Sequence, residues 1–354
     1  MKKIKSMNKF TLTNIKSYGL VLIAFAILFP MQSSGLINNS ISGQLVPICT
    51  YIVMAISLTL TVGFLGELSL GHAGFMSVGA FSGVITAICL QGAIPVPWVR
   101  LLVAVIIGGI FAGIAGLIIG IPVLRLRGDY LAIVTLAFGE IIKNIINCVY
   151  VGVDKGGLHL SMKSADALNM ENGKLILNGP QGAVGIMKLS SFTSGVILIL
   201  FALFIVLNLV NSKTGRAVTA IRDNRIAAES VGISIARYKL TAFITSAVLA
   251  GMAGAMYAMN FSTIAAKKFD FNASILILVF VVLGGMSNIP GTIVATTLLY
   301  MLPELLREYA DYRMLLYAIV LIVVMLLTNS EKAKQMREVL VYKFKNLNQK
   351  RGEN

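Results

Sequence analysis

Charge is scarce in this chain. Asp, Glu, Lys and Arg make up 13% of its 354 residues, about half of the roughly 25% usual in a soluble domain. That shortage excludes a single water-soluble core of this length and makes the bilayer the natural solvent. Acidic residues are scarcer still: 15 Asp and Glu against 30 Lys and Arg leave a net charge of +15. In a soluble protein such an excess would suggest nucleic acid. Here the basic residues gather in short segments between apolar runs, as in cytoplasmic loops near anionic lipid, so membrane lipid is the expected partner and nucleic acid is not. Cysteine is rare as well. Cys49, Cys89 and Cys148 are odd in number, form no CxxC pair and sit inside apolar runs, which leaves no disulfide framework and no metal site to read. With two histidines, His72 and His159, there is no HExxH; GxSxG, GxxxxGK[ST] and paired carboxylates are missing too. The chain is therefore read as a non-enzyme without a catalytic residue, metal or cofactor of its own. It cannot bind ATP through a P-loop, and energy for pumping has to come from a partner or an ion gradient.

Long apolar runs are what the chain has instead: 57% of its residues are hydrophobic. A helix crosses the hydrocarbon core with about 20 apolar residues, and nine runs qualify as candidate spans: Tyr18–Gln32, Leu45–Gly66, Ser69–Leu90, Leu101–Leu124, Tyr130–Tyr150, Ser191–Val210, Leu240–Phe261, Ser274–Leu302 and Tyr312–Leu327. The fold class is all-α, a polytopic transmembrane bundle of about 8–10 segments. The first run is short, and with Lys2, Lys3, Lys5, Lys9 and Lys16 before it and Ser33-Ser34-Gly35 after it it resembles a cleavable signal peptide; the many following spans favour an uncleaved first helix. Lys and Arg asymmetry divides the chain into a cytoplasmic basic N-terminus (1–17), a transmembrane domain (18–328) and a cytoplasmic basic tail (329–354). Within the domain, 151–190 is expected outside, partly structured and suited to meeting an extracytoplasmic partner, and the strongly basic 211–239 loop is expected inside. A tail on the cytoplasmic side requires Ser274–Leu302 to break near Gly284–Gly291 and return, as a re-entrant hairpin or two tilted spans. Irregular backbone at membrane depth survives where it is buried in protein or lines a wet cavity, so the break is placed near a transport path; an ordinary Gly/Pro kink is the bland alternative.

Three stretches carry the chemistry. In the first, Gly66-Glu67-Leu68-Ser69-Leu70-Gly71-His72-Ala73-Gly74-Phe75, dense glycine lets backbones approach or a helix unwind, and a free helix N-terminus there offers a carboxylate site. Glu67 and His72 are costly at membrane depth unless they face a cavity or a partner. His72 either touches ligand or supports the cavity wall, and Phe75 with Met76 would give an apolar wall. Glu67, Gly71, His72, Gly74, Phe75, Glu140, Gly284 and Gly285 are the candidate path residues. In the second stretch, Glu140 and Lys143 lie three apart on one helical face and can pair, as a functional pair or as glue between helices. The third, Thr214 to Ile233, reads as a short amphipathic helix ended by Gly232. It suits either docking on a motor subunit or plain surface exposure.

The motifs GELSLGHAGFMSVGAF, LRLRGDYLAIVTLAFGEIIK, TGRAVTAIRDNRIAAESVGIS, YKLTAFITSAVLAGMAGAMYA and VVLGGMSNIPGTIVA occur in this order. Through them the chain, over roughly residues 45–328, resembles the LivM-type permeases of branched-chain amino-acid ABC transporters. Arg225 and Ser287-Asn288-Ile289 read as local variation. The resemblance implies a bacterial inner-membrane importer of leucine, isoleucine and valine. Its partners would be a second related permease, cytoplasmic ATPases that bind the ATP, and an extracytoplasmic binding protein. It also implies that Gly215, Arg216, Ala220, Arg222, Asp223, Ala227, Ala228 and Gly232 belong to the segment that receives ATPase motion. Related permeases for urea, amides or sugars, or an ion-coupled secondary transporter relaying protons through Glu67, Glu140 and His72, are the competing readings.

Overall fold

The computed structural model describes residues 9–35, 38–126, 128–154, 157–168, 170, 173–306, 312, 315–316 and 318–323. The chain divides into two compact units, Met1–Thr297 and Leu298–Asn354. Among the described residues, six helices are long and apolar enough to cross a membrane. They are α1 (Lys9–Ser33), α2 (Asn39–Leu58, prolonged by a π turn over Thr59–Phe64), α3 (His72–Cys89), α4 (Pro97–Val123), α6 (Phe192–Asn211) and α9 (Ile235–Ala258). The remaining helices are α5 (Asp129–Asn147), α7 (Lys213–Asp223), α8 (Arg225–Ser230), α10 (Phe271–Gly284) and α11 (Ile289–Leu305). The polytopic helix bundle expected from the sequence is thus present. Two bounds differ. α1 already runs from Lys9, the first described residue, because a helix can run on past the apolar stretch that fills the bilayer. The predicted span Tyr130–Tyr150 becomes α5, which carries Asp129, Glu140 and Lys143.

The core of the first unit is α2, whose residues Leu45–Gly63 are all buried. A helix apolar on every side must be enclosed on every side, and here protein rather than lipid encloses it. Beside it α3, α4 and α9 meet through small residues, as membrane helices do when close backbone packing replaces a hydrophobic drive. A Cβ on Gly83 would sit 2.6 Å from Ala255 Cβ, one on Gly109 2.7 Å from Met252 Cγ, and one on Gly116 2.7 Å from Ala247 Cβ. Gly251 is the tightest of these meetings, since its Cβ would strike Ala112 and lie 2.7 Å from the Gly108 carbonyl oxygen. Gly251→Leu is expected to force α9 off α4, at the upper end of the ~1–3 kcal/mol typical of overpacking. A fall in the thermal midpoint of the detergent-purified protein checks it, and an unchanged midpoint contradicts this packing.

The predicted break in Ser274–Leu302 is found at Gly285–Asn288. Asp270 caps α10, accepting from Ala273 N at 3.0 Å, and Gly285 ends it with φ +92. Ser287, φ +67, is the one non-glycine residue with positive φ among the described residues. A Cβ on Gly284 would come within 2.6 Å of Thr292 N, so the turn between α10 and α11 is tight. Leu298–Leu305 continue α11 in the second unit, where 315–316 and 318–323 are also helical. Most of the predicted last span and the basic tail lie outside the described residues, as do most of the N-terminal lysines.

The loop after α5 is folded, as expected, and its structure is a sheet. Strands β1 (Tyr150–Asp154), β2 (Gly157–Ser161), β3 (Lys174–Asn178) and β4 (Ala183–Val184) are joined by β5 (Thr263–Ile264) from the loop after α9. The order is β2-β1-β3-β4-β5, with every pairing antiparallel. Two further backbone bonds, Ile186 N to Ser262 O at 3.0 Å and Leu189 N to Met259 O at 3.1 Å, extend this link between the two loops.

Candidate translocation and coupling site

The glycine-rich stretch after α2 is unwound. Gly66 takes φ +76, and residues Gly66–Gly71 are non-helical. They do not leave the bundle. His72, the first residue of α3, lies with Nε2 2.7 Å from Ser57 Oγ, and Ser57 stands seven residues back from Phe64, about 10 Å up the helix axis. The segment therefore runs back alongside α2, and α3 starts inside the bundle. Protein groups hold three amides at and beyond this partly buried turn. Glu67 N donates to Thr61 O at 3.1 Å, Leu70 N to Thr135 Oγ1 at 3.1 Å and Ala73 N to Ser274 Oγ at 3.1 Å. The α3 N-terminus is thus engaged by Ser274 rather than left free for a carboxylate.

His72 is buried, with its ring held by Ser57, whose backbone oxygen in turn accepts from Ser246 Oγ at 2.6 Å. This geometry favours support of the wall over ligand contact. Phe75 and Met76, expected to offer an apolar wall, are enclosed instead: the spacing turns them inward, and Phe75 packs edge-on against Phe243 with ring centroids 5.5 Å apart. Gly71 and Gly74 press against α5. A Cβ on Gly74 would lie 2.9 Å from Gly139 Cα, and one on Gly139 3.3 Å from Gly71 Cα. Gly74, Glu140, Asp270 and Ser274 consequently meet around one narrow cleft. Two of the sequence candidates, Gly74 and Glu140, are brought together here, with Gly71 packed on α5 beside them. Glu140 pairs with Lys143 as its spacing predicts. Glu67 stands elsewhere, in a buried ion pair with Lys239 of α9. Lys239 went unremarked in the sequence because it borders the apolar run that begins at Leu240; the signal was a lysine directly abutting that run.

The basic loop forms two helices, not one. Asn224, with φ −155, interrupts the pattern and caps α8, its Oδ1 accepting from Ala227 N at 3.0 Å. Gly232 follows α8 with φ +83, the left-handed conformation expected there. Gly215, capped by Ser212 Oγ at 3.3 Å, lets α7 pack onto the end of α6. Ala217, Val218, Ile221 and Ala228 face inward, Ala220 is half-buried, and Arg216, Arg222, Asp223 and Ala227 are exposed. The exposed side also shows two large apolar groups, Ile226 at 81% and Val231 at 75%.

Arg222 links this loop to both breaks. Its Nη1 donates to Gly63 O at 2.9 Å and to Ser287 Oγ at 3.2 Å. Its Nε and Nη2 donate to Asp223 Oδ1 at 3.1 and 3.0 Å, which fixes the plane of the guanidinium. Ser287 Oγ donates to the same Gly63 oxygen at 2.5 Å. That oxygen belongs to the last turn of the α2 extension, where carbonyls lack helical partners and a cation is favourable. A Cβ on Gly66 would lie 2.6 Å from Arg222 Cγ, so glycine is required there for space as well as for φ. Ser287, which the sequence presents as variation, is a working member of this junction. Gly284 and Gly285 shape its turn rather than joining the Gly74–Glu140 cleft.

A family model described as "Branched-chain amino acid transport system / permease component" matches residues 40–327. The chain is 32% identical over 326 residues to the high-affinity branched-chain amino acid transport system permease protein LivM of Escherichia coli (strain K12), covering 88% of this chain and 73% of the relative. The LivM of Salmonella typhimurium (strain LT2) gives the same identity and coverage. The nucleoside ABC transporter permease protein NupC of Lactococcus lactis subsp. cremoris is 25% identical over 213 residues, 58% of this chain and 64% of that one. No solved structure gives a significant match.

Proposed function

The chain belongs to the family of branched-chain amino acid transport permeases, and from that premise we propose that it forms part of the path by which an ABC importer carries leucine, isoleucine and valine across the bacterial inner membrane. It works with a second related permease, cytoplasmic ATPases and an extracytoplasmic binding protein. The path passes the unwound segment with Gly71, the Gly74–Glu140 cleft and the Gly284–Gly285 turn, with Glu67 and His72 holding its wall. Helices α7 and α8, through Gly215, Arg216, Ala220, Arg222, Asp223, Ala227, Ala228 and Gly232, receive the motion of the ATPases. The loop they form is cytoplasmic, as are both termini, and the sheet lies outside.

One observation carries this reading: Arg222 of α7 holds Gly63 and Ser287 together. A push on α7 from outside the bundle is thereby delivered to the end of α2 and to the α10–α11 turn at once. Ile226 and Val231, exposed beside it, suit burial under a partner.

In proteoliposomes the assembled transporter is expected to accumulate leucine when supplied with ATP and binding protein. This chain alone, under a proton or sodium gradient, is expected to accumulate none. Gradient-driven accumulation by the chain alone would overturn the reading in favour of a secondary transporter, and competition by a nucleoside or sugar but not by isoleucine would overturn the substrate.

A further inference from the structure

The outward half of α5 carries a polar stripe that this chain does not cover. Glu140, Lys143, Asn144 and Asn147 follow one another at helical spacing, i, i+3, i+4 and i+7, on one face. The adjoining face, with Leu131, Ala132, Thr135, Gly139 and Ile142, is packed on the rest of the bundle, and Glu140, Lys143 and Asn147 are half-buried at its edge. Asn144 is exposed, and the Glu140 and Lys143 side chains keep 33% and 18% of their exposure.

In the topology proposed above α5 crosses the membrane; its 19 residues, a rise of about 28 Å, would then place Glu140 about 17 Å from its start and close to the middle of a hydrocarbon core of about 30 Å. A charged side chain facing lipid at that depth is costly, by about 2.5–3.5 kcal/mol on insertion scales. The polar stripe itself is therefore not expected to meet lipid, whereas Ile133, Ile141 and Ile145, exposed beside it on α5, are free to. The stripe is also continuous with the cleft at Gly74, Asp270 and Ser274, because Glu140 belongs to both. Irregular backbone and polar side chains converging at membrane depth are tolerated where they are buried in protein or line a cavity, and this cleft is itself too narrow to admit water.

We infer that this face of α5 is the wet outer wall of the translocation path, and that Glu140 and Lys143 form on it a charge-neutral pair complementary to a zwitterionic amino acid. The glutamate faces the substrate ammonium and the lysine its carboxylate, so the wall offers a partner to each end and no net attraction to an ion of either sign. Asn144 and Asn147 extend the polar surface outward from this pair. The inference rests on the function proposed above.

The test uses the assembled transporter with Cys49, Cys89 and Cys148 replaced by serine. Asn144→Cys is exposed to a membrane-impermeant methanethiosulfonate from the extracytoplasmic side. It is expected to react at least tenfold faster than Leu102→Cys, an exposed α4 position at the edge of an apolar groove, and its modification is expected to stop ATP-driven leucine uptake. If Asn144→Cys does not assemble, Ala137→Cys, exposed and two turns deeper on the same face, makes the same measurement. Equal slow rates at both positions would overturn the inference in favour of a dry contact with another helix. Fast labelling with uptake intact would also overturn it, since the face would be wet but off the path. The labelling rate needs no substrate, so a transporter that labels as expected but never accumulates leucine refutes the proposed substrate and leaves the wetted wall standing.

Discussion

Arg222→Ala and Arg222→Glu should each cut ATP-driven uptake by at least tenfold while the complex still assembles and hydrolyses ATP. The guanidinium donates to Gly63 O and Ser287 Oγ through one nitrogen and is held in plane by Asp223 through the other two. A hydrogen bond from a charged group contributes about 1.5–3 kcal/mol. If that contribution differs between two transporter conformations, its loss changes their ratio by a factor of ten or more. The glutamate variant adds repulsion against two acceptor oxygens. Arg222→Lys should fall between, since a point-like ammonium cannot reproduce the planar fork. Uptake and ATPase rates measured side by side decide the matter. A parallel loss of both would indicate failed docking, and normal uptake in the alanine and glutamate variants would remove Arg222 from the coupling route.

The second large effect concerns stability. Lys239→Met is expected to destabilise the protein by about 3 kcal/mol, the lower end of the range for breaking a buried ion pair. Lys239 and Glu67 keep only 6% and 17% of their side-chain exposure, and the second carboxylate oxygen, Oε2, is buried with no hydrogen-bond partner among the described residues. Removing the lysine leaves the whole carboxylate stranded beside Leu60, Leu65, Val218 and Ala242, an apolar cluster at the same end of α9. Adding Glu67→Leu should recover most of the loss, because a pair exchanged for apolar groups is close to neutral. Thermal midpoints of the two single variants and the double variant, taken in detergent, form the cycle. Additive losses would mean that the two residues act independently and that the ion pair does not pin the unwound segment to α9.

Much of the fold was legible because a bilayer imposes a length on each apolar run. Glycine clusters at Gly66–Gly74 and Gly284–Gly291 announced both interruptions, since no other residue enters positive φ or close backbone contact so readily. The Glu140–Lys143 pair followed from spacing on one helix. What stayed hidden depended on residues far apart in sequence. Nothing local in Thr263–Ile264 says that it will complete a sheet begun at Tyr150, and nothing near Glu67 points to Lys239. Likewise Ser287 acquires meaning only when α7 brings Arg222 to it. Phe75 and Met76 were misread for a related reason: apolar side chains suit a substrate wall and a helix interface equally, and the approach of Phe243 decides between them. The split at Asn224 was visible in principle, as an Asn three residues before the amide it caps, but a continuous small-residue pattern concealed it.

The five-stranded sheet has a mechanical consequence. Strand β5 belongs to the loop between α9 and α10 and β1 to β4 to the loop between α5 and α6, so the ladder and its two added backbone bonds lace together the same ends of four helices. Rods tied at one rim can swing but cannot slide, and their separation grows with distance from the tie. Gly63, Arg222 and Ser287 lie away from this tie, so in the coupling role proposed above a displacement applied at α7 would act where the laced rim constrains the helices least.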